Sequence, residues 1–95
     1  MRKYELALIL LSNLEEEVRN AEVEKLKNII TERQGTIDKV NEWGHRRLAY
    51  EIDKKREGFY VFVNFTAGSD AVDEIDRIAK ISDNVVRHMI TVEEE

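Results

Sequence analysis

The chain has 95 residues, 42% of them hydrophobic and 37% charged, with a formal net charge of -5 and no cysteine. That balance belongs to a soluble globular protein, and the length suits one domain over 1–95 with too small a core for a deep enclosed active site. Disulfides and thiolate metal sites are excluded, and the longest apolar run, Leu6 to Leu11, is far too short to span a membrane as a helix.

Residues 3–11 alternate as a strand, with Tyr4, Leu6, Leu8 and Leu10 on a continuously apolar face and Lys3, Glu5, Ala7 and Ile9 on the other. Ser12 with Glu15, or Asn13 with Glu16, offers a capping box for a long helix. Its expected apolar stripe is Leu14, Val18, Ala21, Leu26, Ile29 and Ile30, with Gly35 as the C-terminal stop. Residues 36–52 read as a second strand, bulged at Gly44, and Glu57-Gly58 as a hairpin tip. Phe59 to Thr66 is the third strand, rich in aromatic and β-branched residues. Gly68 and Ser69 then open a second helix with Val72, Ile75, Ile78 and Ala79 facing inward, and Val85 to Val92 forms a fourth strand. The order β-α-β-β-α-β predicts an α+β, ferredoxin-like fold: a four-stranded antiparallel sheet with both helices on one face.

The other sheet face is then open. If Val61, Val63 and Phe65 point at the helices, Tyr60, Phe62 and Asn64 point away, joined by Ala7, Ile9, Arg87, Met89 and Thr91, while Ile90 and Val92 suit the core. A contiguous apolar patch beside an arginine predicts an interaction surface. Tyr60, Phe62 and Met89 are its candidate partner-binding residues. For the second strand, alternation leaves two registers open: Leu48 and Tyr50, or Arg47 and Ala49, share the open face.

Charge is unevenly spread. Residues 13–34 hold six acids and four bases, residues 69–83 five acids and two bases, and Glu93-Glu94-Glu95 follows, whereas residues 44–58 hold five bases and three acids. The stretch from Trp43 to Tyr60, WGHRRLAYEIDKKREGFY, interleaves cations with aromatic rings, which suits phosphates and base faces. The expectation is a basic arm and sheet set against an acidic helical back. Trp43 itself is expected to pack at the sheet edge.

Catalysis is not expected. His45 and His88 are the only histidines, no metal-ligand spacing joins them, and the four glycines are isolated, so no metal, cofactor or phosphate loop is indicated and no catalytic residue is assigned. The start MRKYEL lacks the apolar run and small-residue cleavage site of a secretory signal, which points to the cytoplasm.

MRKYE at the start, WGHRRLAYEI at 43–52, GFY at 58–60, DRIAKISDN at 76–84 and VVRHM at 85–89 resemble the S six family of bacterial small-subunit ribosomal proteins. The resemblance implies a cytoplasmic, ribosomal role: binding the central domain of 16S ribosomal RNA as a heterodimer with the S eighteen ribosomal protein. It further implies Arg2, Arg46, Arg47, Lys54, Lys55, Arg56 and Arg87 as phosphate or partner contacts, and Tyr4, Tyr50, Tyr60 and Phe62 as stacking or packing rings. The RNA-binding set is thus Arg2, Tyr4, Arg46, Arg47, Tyr50, Lys54, Lys55, Arg56 and Arg87. The [K/R]-G-[F/Y]-[G/A]-F signature of RNA-recognition motifs is absent, so phosphate and shape recognition is expected over base readout. The competing expectation is a ferredoxin-like ligand-sensing or oligomerisation domain that pairs through the same sheet and binds no RNA.

Overall fold

The computed structural model describes the backbone of residues 1–52 and 55–93, and the side chains of those residues outside 48–56. Six elements follow in chain order: β1 (Arg2–Leu11), α1 (Glu16–Glu32), β2 (Thr36–Ile52), β3 (Lys55–Ala67), α2 (Ser69–Ile81) and β4 (Val85–Val92). The strands form one sheet in the order β2-β3-β1-β4, every pairing antiparallel. This is the expected ferredoxin-like arrangement.

Alternation makes β1 the keel. Leu6, Leu8 and Leu10 are at most 1% exposed and meet Val61, Val63 and Phe65 of β3 beneath Leu26 and Ile30 of α1 and Ala71 and Ile75 of α2. Each fully buried Leu, Val or Phe side chain contributes about 1.5–3 kcal/mol of transfer free energy, so this layer is the main source of stability. No helix among the described residues is long and apolar enough to cross a membrane.

The structure corrects the local reading of α1 at both ends. Its N-cap is Glu15, with no side-chain cap bond, because Ser12 and Asn13 are used in the turn leaving β1. Glu16 and Glu17 in the first turn instead set negative charge against the positive end of the helix dipole. At the C-terminus the left-handed residue is Gln34 (φ 65°), not Gly35. The Gly35 N–H donates to the Ile30 carbonyl (2.8 Å) and the Gln34 N–H to that of Thr31 (3.1 Å), a Schellman closure.

The buried face of α1 is also rotated from the expected stripe. Val18 is 40% exposed and Ala21 is exposed, while Glu22 and Val23 are buried. A tertiary bond holds this rotation: the Asn84 side-chain amide donates to Glu22 Oε1 at 3.0 Å, tying α1 to the turn before β4. Burial pushes the Glu22 carboxyl up, but the Asn84 bond, then the bond and charge of Lys25 and the Ser82 hydroxyl, outweigh it and hold the group below its ordinary value of 4.5. A lowered folded value means the stabilisation is present above that ordinary value and is lost as pH falls through the folded one. Asn84→Ala is therefore expected to cost about 2 kcal/mol at pH 7, a gap that narrows at pH 3 in urea titrations. An equal gap at both pH values would remove the carboxylate from the account.

The third strand begins earlier than expected. Glu57 and Gly58 are not a hairpin tip but lie within β3, opposite Arg47 and Arg46, and Ile52 pairs with Lys55. Val92 is 47% exposed rather than in the core, because β4 is an edge strand and its last residues run past the helices.

Candidate nucleic-acid interface

Because cross-strand partners share a face, the register lays out the open side of the sheet in rows running from β2 to β4. The first row is Lys39, Asn64, Glu5 and Thr91; the second is Asn41, Phe62, Ala7 and Met89; the third is Gly44, Tyr60, Ile9 and Arg87. Arg46, opposite Gly58, begins a fourth. Ala7, Ile9, Tyr60, Phe62, Arg87, His88 and Met89 line a shallow, mainly apolar hollow of about 210 Å³. Met89 is 48% exposed there. The expected partner-binding set is thus gathered in one place, with Arg87 at its border.

Two bulges in β2 settle the register that alternation left open. Pairing shifts between Ile37 and Lys39 and again between Glu42 and Gly44, so Asp38 and Trp43 are extra residues. Gly44 adopts φ 83°, the left-handed region that favours glycine. Past that bulge His45 pairs with Phe59 on the helix side, their rings meeting edge to face at 5.1 Å, and Arg46 returns to the open side. Arg47 falls on the opposite face. Trp43, 50% exposed, lays its ring 4.7 Å from Phe62 and so belongs to the open face as well as to the edge strand.

The basic residues are not one cluster. Arg46 and Arg47 are exposed, and no carboxylate among the described residues forms an ion pair with either; the Arg46 guanidinium donates to the His45 carbonyl at 3.0 Å. Arg87 stands about 15 Å from Arg46 by strand spacing and rise. Arg2, paired with Ala67 at the far end of β1, lies about 30 Å from Arg46 along the strands and shares the helix-side parity of Tyr4. Tyr4 corrects its assigned role: it is 8% exposed and stacks on Phe65 with ring centroids 5.5 Å apart. A ring so committed to the core offers no face to a base. Tyr50, Lys54, Lys55 and Arg56, with Leu48 and Ala49, lie outside the described side chains.

The separation of charge is partial. The helical back is indeed laced with ion pairs, Glu74 with Arg77 (2.6 Å) and Arg33 (3.6 Å) and Asp76 with Lys80 (2.9 Å), and Asp76 is hydrogen-bonded to His88 Nε2 (2.8 Å). The hydrogen bonds from His88 and Lys80 hold the Asp76 carboxyl below its usual range. Yet Glu5, Asp38 and Glu93 stand on the open face, against the expectation of a basic sheet. They line a broad depression of about 840 Å³ with Lys3, Lys39, Asn41, Trp43, Phe62 and Asn64. The Asn64 amide donates to both Glu5 and Glu93 there, and Thr66 donates to Asp38 at 2.7 Å. Glu5 was legible from the alternation of β1, but the approach of Glu93 depends on the register of β4. Among the described residues, no group of His, Asp or Glu is placed to hold a metal ion.

The profile described as "Ribosomal protein S6" matches residues 3–92. The chain is 58% identical over 90 residues to the small ribosomal subunit protein bS6 of Alkaliphilus oremlandii, covering 95% of each. It is 49% identical over 94 residues to the protein of that name from Clostridium botulinum strain Hall, covering 99% of this chain and 100% of the other. The crystal structure of 30S ribosomal protein S6 from Thermotoga maritima superimposes with a TM-score of 0.90 at 35% identity, covering 97% of this chain and 87% of that one.

Proposed function

Because this chain belongs to the ribosomal protein S6 family, non-enzymatic structural components of the bacterial small ribosomal subunit in the cytoplasm, we propose that it binds the central domain of 16S ribosomal RNA jointly with the S eighteen ribosomal protein. The observation that carries this reading is the open sheet face. Phe62, Ala7, Met89, Tyr60 and Ile9 form an apolar surface that no other element covers among the described residues, bordered by Arg87 and Arg46. An uncovered apolar patch suits a protein partner, and arginines at its border suit phosphates. The two together favour a joint RNA-protein surface. In this reading Arg46, Arg47 and Arg87 contact phosphate, joined by Arg2, Tyr50, Lys54, Lys55 and Arg56, while Tyr60, Phe62 and Met89 pack on the partner.

The test is a gel-shift titration on a central-domain 16S RNA fragment, with and without the S eighteen protein, over a salt series. The protein alone is expected to bind weakly, since its net charge is -5, and the partner to tighten binding markedly. Arg46→Ala with Arg47→Ala should flatten the slope of log affinity against log salt by roughly 1 for each phosphate that is no longer neutralised. Tight binding without the partner, or an unchanged slope, would sink the reading. A homodimer that ignores RNA would replace it.

A further inference from the structure

Resting on the joint-binding reading, we infer that the helix side of the β2–β3 arm carries a second phosphate-binding site, built by Arg19, His45 and Arg47 around Phe59, so that RNA backbone is held on both faces of the arm. Arg19 continues the inward stripe of α1 by one turn, standing before Glu22, Val23 and Leu26 at helical spacing, all three of them buried. An apolar side chain would suit that place. The arginine instead lays its guanidinium over the Phe59 ring, with Cζ 4.1 Å from the centroid. The same ring meets His45 edge to face at 5.1 Å, so guanidinium and imidazole lie within about 9 Å of one another, the sum of the two distances. Arg47 follows His45 on the same face of β2, about 6.6 Å further along the strand.

These cations are not committed to the acids around them. Glu15 and Glu16 precede Arg19 by one turn and Glu22 follows it, yet among the described residues none forms an ion pair with it, and Glu22 is held by Asn84 and Lys25. The Arg19 Nε is buried with no hydrogen-bond partner. Glu57 lies opposite Arg47 in the ladder, but no ion pair joins the two. The buried Phe59 ring anchors both Arg19 and His45, so less side-chain freedom is left to lose when an anion is met. A guanidinium stacked on a ring still presents N–H groups in its own plane, a fork that matches two phosphate oxygens. The exposed His45 adds a ring N–H donor and the exposed Arg47 a second fork. Arg46 points from the other face of the same strand, so the root of the arm offers cations on both sides.

The experiment titrates the full chain, mixed with purified S eighteen protein, onto the central-domain RNA fragment over a salt series, well below the lowest unfolding midpoint of the variants. Partner binding without RNA is measured separately by calorimetry. Arg19→Met keeps the stem of the side chain and removes its charge. It is expected to weaken RNA binding about fivefold or more and to flatten the salt slope by roughly 1, with partner affinity within about twofold of the parent. Arg19→Lys keeps the charge, so it should keep the slope and lose less affinity. His45→Phe keeps a ring against Phe59 but no N–H, and should weaken RNA binding about twofold. Glu57→Gln removes the acid facing Arg47 and should tighten it by about twofold. Combined with Arg46→Ala, Arg19→Met should flatten the slope further, as contacts on two separate faces require. An unchanged slope in Arg19→Met would overturn the second site. So would equal losses in Arg19→Met and Arg19→Lys, since the arginine would then serve only to pack Phe59. Loss of partner affinity in Arg19→Met would give this face to the protein partner and likewise overturn it. A parent mixture that does not bind the RNA at all would strike the joint-binding reading instead.

Discussion

Phe65→Ala is expected to lower the unfolding free energy by about 4 kcal/mol, measured by urea or guanidinium titration. Phe65 is the largest fully buried side chain among the described residues, and Tyr4 stacks on it. Truncation removes the ring's transfer free energy and leaves a void that strands β1 and β3, hydrogen-bonded to each other, cannot collapse to fill. The Tyr4 ring loses its partner at the same time. For a protein of this size the loss is a large part of a total of roughly 5–15 kcal/mol. A cost under about 1.5 kcal/mol would mean that the core relaxes around the gap, contrary to the continuous layer described above.

Gly35→Ala is expected to cost about 3 kcal/mol, for a reason of space and not of backbone freedom. A Cβ at this position would lie 2.7 Å from Ile30 Cγ2, 2.9 Å from the Ile30 carbonyl oxygen and 2.9 Å from the Thr66 carbonyl oxygen. Two of these are backbone atoms held by the helix closure and by the sheet, so neither can yield without breaking a structural bond. Gly58 supplies the control. A Cβ there would press on Ile9 Cγ2, the branch methyl of a side chain on the open face, and on no backbone atom nearer than 3.4 Å. Relief there requires the Ile9 side chain to change its χ1, a stiff torsion but one that turns toward the open face, so Gly58→Ala should cost less than Gly35→Ala. Equal costs at the two glycines would contradict this distinction between rigid and yielding neighbours.

The strands were legible where one face is covered and the other open. Tyr4, Leu6, Leu8 and Leu10 in β1 and Val61, Val63 and Phe65 in β3 are all buried, as strict alternation requires. The rule failed where the cover stops: Val92 has the right parity but no helix above it. In α1 it failed for another reason. Asn84, 62 residues away, accommodates the burial of Glu22 by bonding to it, and that bond turns Val18 toward solvent and Val23 inward.

The candidate site divides the same way. That Tyr60, Phe62, Arg87 and Met89 share one surface followed from parity in β3 and β4. Which arginine of the pair at 46 and 47 joins them did not, because the answer turns on the inserted residue at Trp43. Counting alternately from the inward Val40 puts Arg46 on the helix side; the bulge reverses this. Gly44 hinted at an irregularity, but the number of residues it absorbs is set by pairing with β3.

The chain's own residues determined the element order, the inward faces of β1 and β3 and the existence of an uncovered apolar surface, since each follows from short-range periodicity. Only the tertiary structure decided the turn of α1, the face of Arg46 and the meeting of Glu5 with Glu93 at Asn64. Those depend on bonds between residues far apart in the chain, where a shift of one position exchanges one face of the sheet for the other.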